Sequence, residues 1–351
     1  MANNRTFWAV QSIGFRPSGG STYTLAHGVQ SVGITASFNL EQFFELGQIS
    51  IYENVEDIPD IEVTAEKVLD GYPLLYHLAT PGATSASLVG RSTAKCDVAF
   101  GVFPDTNNSA SGDAIAECYM SGMFISSLEY NIPVEGNCTE SVTLVGNHRL
   151  WYTGAALLPT GIFTNADQPF SYPNSGGIQR RENVRYDYSY AGLDANGMVT
   201  GNGTVLPRDI AGVTSSGTID LDDANRAHVQ NIRVSANLNR ESLFELGRKS
   251  PYFRYVTFPI EVTTEVEILA TSGDWVEATE EGVKAFGSNL DNQSFQVHLQ
   301  DSTKISTGVQ NKLNNMSYSG GGTDGGNVTV TYTYVTQNDM TVTHTNDPAG
   351  L

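Results

Sequence analysis

The sequence predicts a mainly β protein made of two tandem copies of one antiparallel β-barrel or sandwich. Three observations lead to this prediction. The chain of 351 residues contains 35 glycines and only 16% charged residues, and such a composition favours strands and turns over helices. Short stretches alternate between apolar and polar residues, with the two-residue period of a half-buried strand. Finally, one long stretch occurs twice, about 200 positions apart.

The repeat is centred on a Phe-Glu-Leu-Gly motif. Its residues are Phe44, Glu45, Leu46 and Gly47 in the first copy and Phe244, Glu245, Leu246 and Gly247 in the second. Each motif runs on to a proline and an Ile-Glu-Val-Thr stretch, at residues 59–64 and 259–263. The spacing slips by one residue after the proline, which aligns Ile61 with Ile260 and Glu66 with Glu265. A period of this length indicates a duplicated domain and not a solenoid repeat.

The repeat divides the chain into five parts. We expect an N-terminal arm at residues 1–28, the first copy at 29–150, a linker carrying an insertion at 151–224, the second copy at 225–345 and a short tail at 346–351. The insertion has no counterpart in the other copy and is rich in tyrosine, asparagine and glycine. Segments of this kind are typical of protein contacts.

The alternation patterns predict similar elements in both copies. In the first copy we expect strands at 32–38, 58–69 and 97–103 and a closing hairpin from 123–134 and 141–145. Residues 41–46 are expected to form a helical turn ended by Gly47, residues 74–79 a short helix, and residues 85–93 a loop. A further strand is expected at residues 7–10. The second copy repeats this order with strands at 228–238, 258–270 and 294–299 and a hairpin from 309–318 and 328–334. The helix is replaced there by a stretch at 277–286, so each copy has at most one short helix.

Charge and cysteine content limit the function classes. The net charge is −19, with 38 acidic and 19 basic residues, and so acidic a surface repels nucleic acid phosphates. Solubility alone explains such a charge; a surface along which DNA passes without sticking is the second interpretation. The 3 cysteines are odd in number and lack CxxC spacing, so we expect no disulfide framework and folding in a reducing cytosol. We also expect no signal peptide and no membrane span.

The sequence contains no motif that indicates catalysis or cofactor binding. The 6 histidines lack metal-ligand spacing, and the acidic residues 220–223 lack the glycine and distal glutamate of a calcium loop. The glycine-rich residues 320–326 lack the lysine of a phosphate-binding loop. Glu45, Glu62 and Glu66 recur in both copies and invite comparison with a hydrolase carboxylate pair, but outward-facing strand residues explain them more simply. We therefore expect no catalytic residue, metal or cofactor and no enzymatic activity.

Two stretches carry a resemblance to a known family. Residues 44–53, Phe-Glu-Leu-Gly-Gln-Ile-Ser-Ile-Tyr-Glu, and residues 56–74 resemble tail tube proteins of tailed bacteriophages. Residues 127–130 and 140–146 look like the closing hairpin of the same family. The likeness covers most of the first copy and, more faintly, the second. It implies β-barrel tube domains with one flanking helix, stacked in hexameric rings around a DNA channel.

The duplication departs from the usual family pattern, in which each chain carries one tube domain. Some phages are similar to this chain in carrying two, and the resemblance then implies a trimer whose ring has pseudo-sixfold symmetry. The implied partners are other copies of the chain and further tail proteins, such as terminator, baseplate and sheath proteins, while DNA passes without specific binding. The implied location is the virion tail, with assembly in the host cytoplasm.

The prediction assigns two sets of candidate residues. The repeated motif residues, 44–47 and 244–247, are candidate ring or inter-domain contacts. Strand parity makes Glu62, Glu66, Glu261 and Glu265 candidate acids of the channel wall, although the outer wall is equally open to them. The alternative function is a carbohydrate-binding or adhesive β-protein, in which tyrosines around residues 186–190 stack on sugars.

Overall fold

The computed structural model describes residues 5–20, 23–105, 114–153, 177–186, 203–210, 212–213, 219, 227–271, 273, 276, 292–320 and 326–350. Within these residues the protein is mainly β, all strand pairs are antiparallel, and the only α-helices are two of 5 and 4 residues. The predicted mainly β fold class is confirmed. No helix in this part of the chain is long and apolar enough to span a membrane.

The first ten strands precede the insertion. They are β1 (Gln11–Pro17), β2 (Thr24–Leu25), β3 (Val29–Ser37), β4 (Leu40–Phe44), β5 (Ile51–Glu56), β6 (Asp60–Val68), β7 (Cys96–Val102), β8 (Ala116–Pro133), β9 (Thr139–Gly146) and β10 (Leu150–Thr153). The later strands are β11 (His228–Asn237), β12 (Arg240–Leu243), β13 (Phe253–Val256), β14 (Glu261–Leu269), β15 (Gln296–His298), β16 (Lys304–Ser306), β17 (Lys312–Ser319), β18 (Thr329–Gln337) and β19 (Thr341–Thr343). The helices are α1 (Leu75–Ala79) and α2 (Leu88–Arg91), and short 3-10 turns lie at Trp8–Val10 and Arg181–Asn183.

Eight strands form one continuous sheet, which we call the main sheet. Their spatial order is β3-β6-β9-β8-β11-β14-β18-β17. The second half of β8 joins the sheet together, because it pairs with β9 on one side and with β11 on the other. The first half of β8 continues into a different layer, where it pairs with β7 and β10, and β7 pairs with β1.

The two halves of the main sheet have the same strand order, read from β3 to β8 and from β11 to β17. They also share their irregularities. The pairing of β3 with β6 shifts at Gln30 and that of β11 with β14 at Gln230, and each glutamine amide donates to the carbonyl oxygen two residues earlier at 3.1 Å. The pairing of β8 with β9 shifts at Ser126 and that of β17 with β18 at Asn314.

Strand register corrects the alignment of the two halves after the proline. Ala36 lies opposite Ile61, and Ala236 lies opposite Val262. If Ala36 and Ala236 are counterparts, as the 200-residue spacing indicates, then Ile61 corresponds to Val262 and not to Ile260. Glu66 then corresponds to Glu267, two positions beyond the predicted Glu265. The shift of two residues preserves strand parity, so all these glutamates stay on one face.

One face of the main sheet supplies the hydrophobic core. Alternate residues of β6, such as Ile61, Val63 and Ala65, are almost fully buried, while Glu62 and Thr64 between them are exposed. The same alternation holds in β14 and β18. A single cluster of buried side chains includes residues from both halves, so the chain folds around one continuous core.

Helix α1 lies against the core and is held at its start by Glu140. The Glu140 carboxylate accepts hydrogen bonds from the backbone amides of Leu75 at 2.6 Å and Tyr76 at 3.0 Å, and from the hydroxyl of Tyr130 at 2.9 Å. These amides are the ones that a helix leaves without an internal partner. Burial raises the pKa of Glu140, and the hydrogen bonds oppose that rise.

Several predicted elements differ from the observed ones. Of the helical turn expected at 41–46, residues 41–44 belong to β4 and residues 45–46 to the hairpin tip, where Gly47 has a φ of 93° and turns the chain toward β5. The strand expected at 7–10 is a 3-10 turn, and the strand begins only at Gln11. The predicted helix at 74–79 is confirmed as α1, whereas α2 falls in the expected loop at 85–93. Residues 277–286 lie outside the described residues.

The C-terminal segment lies across the helices of the first half. Leu88 donates its amide to the carbonyl of Met340 at 2.7 Å, and the buried Arg91 guanidinium forms an ion pair with Asp347. The His77 ring contacts the carbonyl of Val342 at 3.2 Å. These buried polar contacts fix the end of the chain to the region between β6 and β7.

Described parts of the predicted insertion also contact both halves. The backbone of Gln179 exchanges hydrogen bonds with Leu69 and Cys138, and Asn183 donates its side-chain amide to Gln300 at 2.7 Å. Val205 pairs with Gln296 of β15 as an isolated antiparallel bridge. All three cysteines, Cys96, Cys118 and Cys138, are buried free thiols.

Candidate assembly interface

The pairing of β8 with β11, which we call the internal seam, is the contact that joins the two halves. Seven residue pairs run from Asn231 opposite Pro133 to Asn237 opposite Ser127. On the core side Val234 lies opposite Tyr130 and Ile232 opposite Ile132, and all four side chains are buried. Backbone hydrogen bonds and apolar burial therefore both hold the seam.

The opposite face of the internal seam carries an ion pair. The Arg233 guanidinium donates to both carboxylate oxygens of Glu129, at 2.8 Å each, and lies 3.7 Å from Glu265 on the next strand. The hydrogen bonds that Arg233 donates to Glu129 are the main cause of the raised pKa of Arg233. Two-pronged pairs of this kind combine charge attraction with fixed geometry.

The main sheet ends in two strand edges. Among the described residues, β3 pairs with β6 alone and β17 pairs with β18 alone. Both edges alternate between half-buried apolar and exposed polar residues, as in Ile34 and Thr35 of β3 or Met316 and Ser317 of β17. Unpaired strand edges offer rows of amide and carbonyl groups to another strand.

The polar face of the main sheet is acidic. All four candidate channel acids lie on it, since each alternates with a buried residue of β6 or β14. Residues of the same parity on the eight strands include seven acids and two cations: Asp60, Glu62, Glu66, Glu129, Glu261, Glu265 and Glu267, with Arg233 and Lys312. The remaining positions are mostly serine, threonine and asparagine. The face therefore has an excess of negative charge.

The repeated motif residues lie at the tips of two hairpins. The first hairpin is formed by β4 and β5 and the second by β12 and β13, and Gly47 and Gly247 turn with positive φ of 93° and 86°. Phe44 and Phe244 are 64% and 62% exposed, and Leu46 and Leu246 are completely exposed. Neither phenylalanine belongs to the core. Glu245 forms an ion pair with Arg248 at 3.1 Å within its own tip.

The second hairpin rests on the first half of the main sheet. Its Phe253 ring packs edge-on against Phe124, with ring centroids 5.1 Å apart. Arg254 donates to Asp60 at 3.0 Å and to Asn147 at 2.9 Å. Lys249 donates to the backbone carbonyl of Glu56, at the base of the first hairpin, at 2.7 Å.

A half-buried arginine anchors the same hairpin. Arg240 donates to the carbonyl oxygens of Ile125 and Ser92, both at 2.7 Å. Burial, and secondarily the nearby Arg254, lowers the pKa of Arg240 to about 10. These contacts give the second hairpin a fixed position.

The first hairpin, in contrast, is exposed along its entire length. Every residue of β4 and β5 is exposed, including the apolar Leu40, Phe43, Ile51 and Val55. Clustered exposed apolar side chains are typical of surfaces that contact other proteins. The two hairpins thus occupy equivalent places in the sequence repeat but have different surroundings.

Of the tyrosines expected to stack on sugars, around residues 186–190, only Tyr186 belongs to the described part of the chain. Tyr186 packs against the core, and residues 187–190 lie outside the described part of the chain. No group of three or more His, Cys, Asp or Glu side chains suited to a metal ion occurs among the described residues.

Comparisons with known proteins give distant likenesses only. No family model and no curated protein matches the sequence. Among solved structures, a chain from the anti-feeding prophage baseplate matches with 9% identity and a TM-score of 0.33, over 43% of this chain and 97% of that chain. A chain from the cap that terminates the anti-feeding prophage tube matches with 12% identity and a TM-score of 0.32, over 44% of this chain and 95% of that chain.

Proposed function

We propose that this protein is a structural component of a phage tail, and that three chains close into a ring whose stacks form a DNA-conducting tube. The observation that carries the proposal is the main sheet, in which two four-strand halves of identical order are joined head to tail at the internal seam. The sequence repeat and the shared bulges support the interpretation of these halves as a duplicated domain.

Duplication makes the two free edges complementary. In the first half β8 offers its edge to β11. The counterpart of β8 is β17, and the counterpart of β11 is β3. The β17 edge of one chain therefore fits the β3 edge of the next as β8 fits β11. A head-to-tail contact of this type closes into a ring when its rotation is suitable, and closure leaves neither edge of the main sheet unpaired.

The number of chains comes from the resemblance to tail tube proteins. Six domains per ring correspond to three chains of two domains each. The main sheets of three chains would then form one closed barrel with the core face outward and the acidic polar face inward. An acidic inner wall suits a channel through which DNA slides, because its excess of acids over cations repels the phosphates.

The internal seam also predicts the register of the contact between chains. Ser235 lies opposite Glu129 in the seam. The counterpart of Ser235 is Thr35, and the counterpart of Glu129 is Ser317, since both stand three residues after the bulge of their strand. We therefore expect Thr35 of one chain opposite Ser317 of the next, with Ile34 opposite Tyr318.

A disulfide between chains tests this register. Directly opposite residues on paired strands have Cβ atoms close enough for a disulfide, so Thr35→Cys with Ser317→Cys should cross-link under mild oxidation. The native cysteines are buried and do not compete. Each chain then has two links, and a non-reducing gel should end at a band of three chains. Thr35→Cys with Asn315→Cys, shifted by two residues, is the matched control and should cross-link far less.

The possible outcomes are distinct. A single closed species of three chains supports the ring, and a ladder of increasing length indicates an open filament. A closed species of six chains would contradict the trimer. Absence of any cross-link, together with a monomer in native mass measurement at high concentration, would contradict the assembly altogether.

Other tail proteins are the further partners under this proposal. The exposed tips of the first and second hairpins, including Leu46 and Leu246, are apolar surfaces suited to contacts with the next ring or with proteins that begin and end the tube. The location that follows is the virion tail, after assembly in the host cytoplasm.

A further inference from the structure

We propose that Glu53 of one chain and Lys312 of the next form a specific ion pair across the contact between chains. This pair occupies the position equivalent to that of the Phe253–Phe124 contact within a chain. The inference rests on the proposed ring and identifies the partner surface as a second copy of this chain. It follows from the fixed position of the second hairpin on the first half.

The counterpart residues follow from strand register. In the first hairpin Phe43 lies opposite Glu53, and in the second Leu243 lies opposite Phe253. Because Phe43 and Leu243 are 200 positions apart, Glu53 is the counterpart of Phe253. On the receiving strand, Phe124 stands two residues before the bulge of β8, and Lys312 stands two residues before the bulge of β17.

The aromatic contact inside the chain is thus replaced on both sides at once. The counterpart of Phe253 is Glu53, and the counterpart of Phe124 is Lys312. A change on one side only would place a carboxylate or an ammonium against a phenyl ring. The double change instead gives opposite charges at the rim of the contact, where Glu53 and Lys312 are both exposed.

A second contact changes in the same matched way. Arg254 donates to Asp60 and Asn147. Its counterpart on the first hairpin is Asn54, and the counterparts of the acceptors are Glu261 and Gln337 of the neighbouring chain. An amide can donate to a carboxylate or to another amide oxygen, so hydrogen bonding is retained.

A third contact changes from polar to apolar. Lys249 donates to the carbonyl of Glu56 within the chain. The counterparts are Ile49, which is completely exposed, and Val256 of the neighbouring chain. The contact of Lys249 is made to a backbone carbonyl and the Val256 side chain is buried in its own chain, so this position loses the hydrogen bond without a matched replacement.

Together these differences between counterpart residues distinguish the internal seam chemically from the contact between chains. The first hairpin placed on its own half would set Glu53 against Phe124, and the second hairpin placed on a neighbour would set Phe253 against Lys312. The first exchange sets the Glu53 carboxylate against a phenyl ring with no opposite charge, and a mismatch of this kind is an efficient source of specificity. The second exchange costs less, because an ammonium on a phenyl ring is a favourable contact. The chemistry would direct the first hairpin to the neighbouring chain, which favours closure of the ring.

Charge reversal tests the ion pair. Glu53→Lys and Lys312→Glu should each weaken trimer formation, by roughly tenfold in the protein concentration at half assembly, because like charges then oppose each other at every contact. The double variant should recover most of the wild-type assembly. Added salt should weaken the wild-type ring and partly relieve the single variants.

A matched control separates this pair from general charge effects. Glu53→Lys combined with Arg181→Glu has the same net charge as the double variant, but Arg181 lies in the 3-10 turn at Arg181–Asn183, away from the β3 and β17 edges. This combination should assemble as poorly as Glu53→Lys alone. Chemical unfolding of each monomer checks that the exposed substitutions leave folding intact.

The outcomes also separate this inference from the proposed ring. Wild-type rings that persist unchanged in both single variants, or a double variant that fails to recover, would overturn the ion pair while the ring stands. A wild-type chain that remains monomeric would overturn both. Recovery in the double variant and not in the control supports the pair.

Discussion

Glu129 and Arg233 form a two-pronged ion pair across the strands that join the two halves of the main sheet. Their side chains are 36% and 48% exposed, so water screens the attraction and each Ala variant should lose only about 0.5–1 kcal/mol of unfolding free energy. A double-mutant cycle in urea measures the coupling between the two residues.

The Glu245–Arg248 pair provides the comparison. It is more exposed, at 51% and 50%, and lies within one hairpin tip, three residues apart. We expect a smaller coupling energy there, because the pair joins no separate strands. Equal coupling energies in both pairs would show that the position of Glu129 and Arg233 across the internal seam does not strengthen their interaction.

Local pattern was enough to predict most of the strands. The alternation in residues 58–69 and 328–334 reflects burial of one face, which is set by neighbouring side chains and needs no knowledge of distant partners. The short helix α1 was predicted from the largely apolar run at 74–79, which follows the strand-breaking residues 71–73. The turn at Gly47 was misassigned as the end of a helix, because a glycine with positive φ ends helices and closes hairpins equally well.

Long-range pairing was not predictable from the sequence. Nothing in residues 127–133 indicates that β8 pairs with β9 on one edge and with β11 on the other, since alternation sets a strand's faces but not its edges. The shift between Glu66 and Glu267 is also invisible in sequence, because an alignment by identity favours the nearer Glu265. The two-residue shift retains strand parity, so Glu62, Glu66, Glu261 and Glu265 share one face although their alignment changes.

The hairpin phenylalanines should contribute little to folding. Phe44 and Phe244 are mostly exposed, so Phe44→Ala and Phe244→Ala should change the unfolding free energy by less than about 1 kcal/mol. Phe295, which is 1% exposed, provides the contrast, and Phe295→Ala should cost about 3–5 kcal/mol. Urea unfolding of the three variants measures this. A large loss in either hairpin variant would place its ring in a packed contact.

Acid should weaken the attachment of the C-terminal segment through His77. Burial, and then the nearby Arg91, lowers the pKa of His77 to about 4, while Asp347 and the carbonyl of Val342 oppose this. The unfolded chain takes up the proton near pH 6.5, so the stabilisation present above that pH is lost as the pH falls toward 4. We expect a decrease of roughly 1–3 kcal/mol across this range.

Replacing the imidazole of His77 identifies its share of the pH dependence of the unfolding free energy. His77→Gln should flatten the decline in unfolding free energy between pH 6.5 and 4, measured by urea titration at several pH values. His344, whose pKa is also lowered by burial, should supply part of the remaining slope. His148→Gln, at an exposed position, serves as the control. An unchanged slope in His77→Gln would show that other groups control the acid response.

The acidic face of the main sheet should keep duplex DNA from binding. We expect no measurable affinity of assembled wild-type protein for duplex DNA at physiological salt, measured by fluorescence anisotropy. Replacing Glu62, Glu66, Glu261 and Glu265 by Lys should create binding that weakens steeply with added salt, because cations on this face would neutralise phosphates inside the channel. A control with the same net charge replaces four exposed acids elsewhere, namely Asp57, Asp105, Glu135 and Glu182. Equal binding by the control, or tight binding by the wild type, would contradict an acidic channel wall.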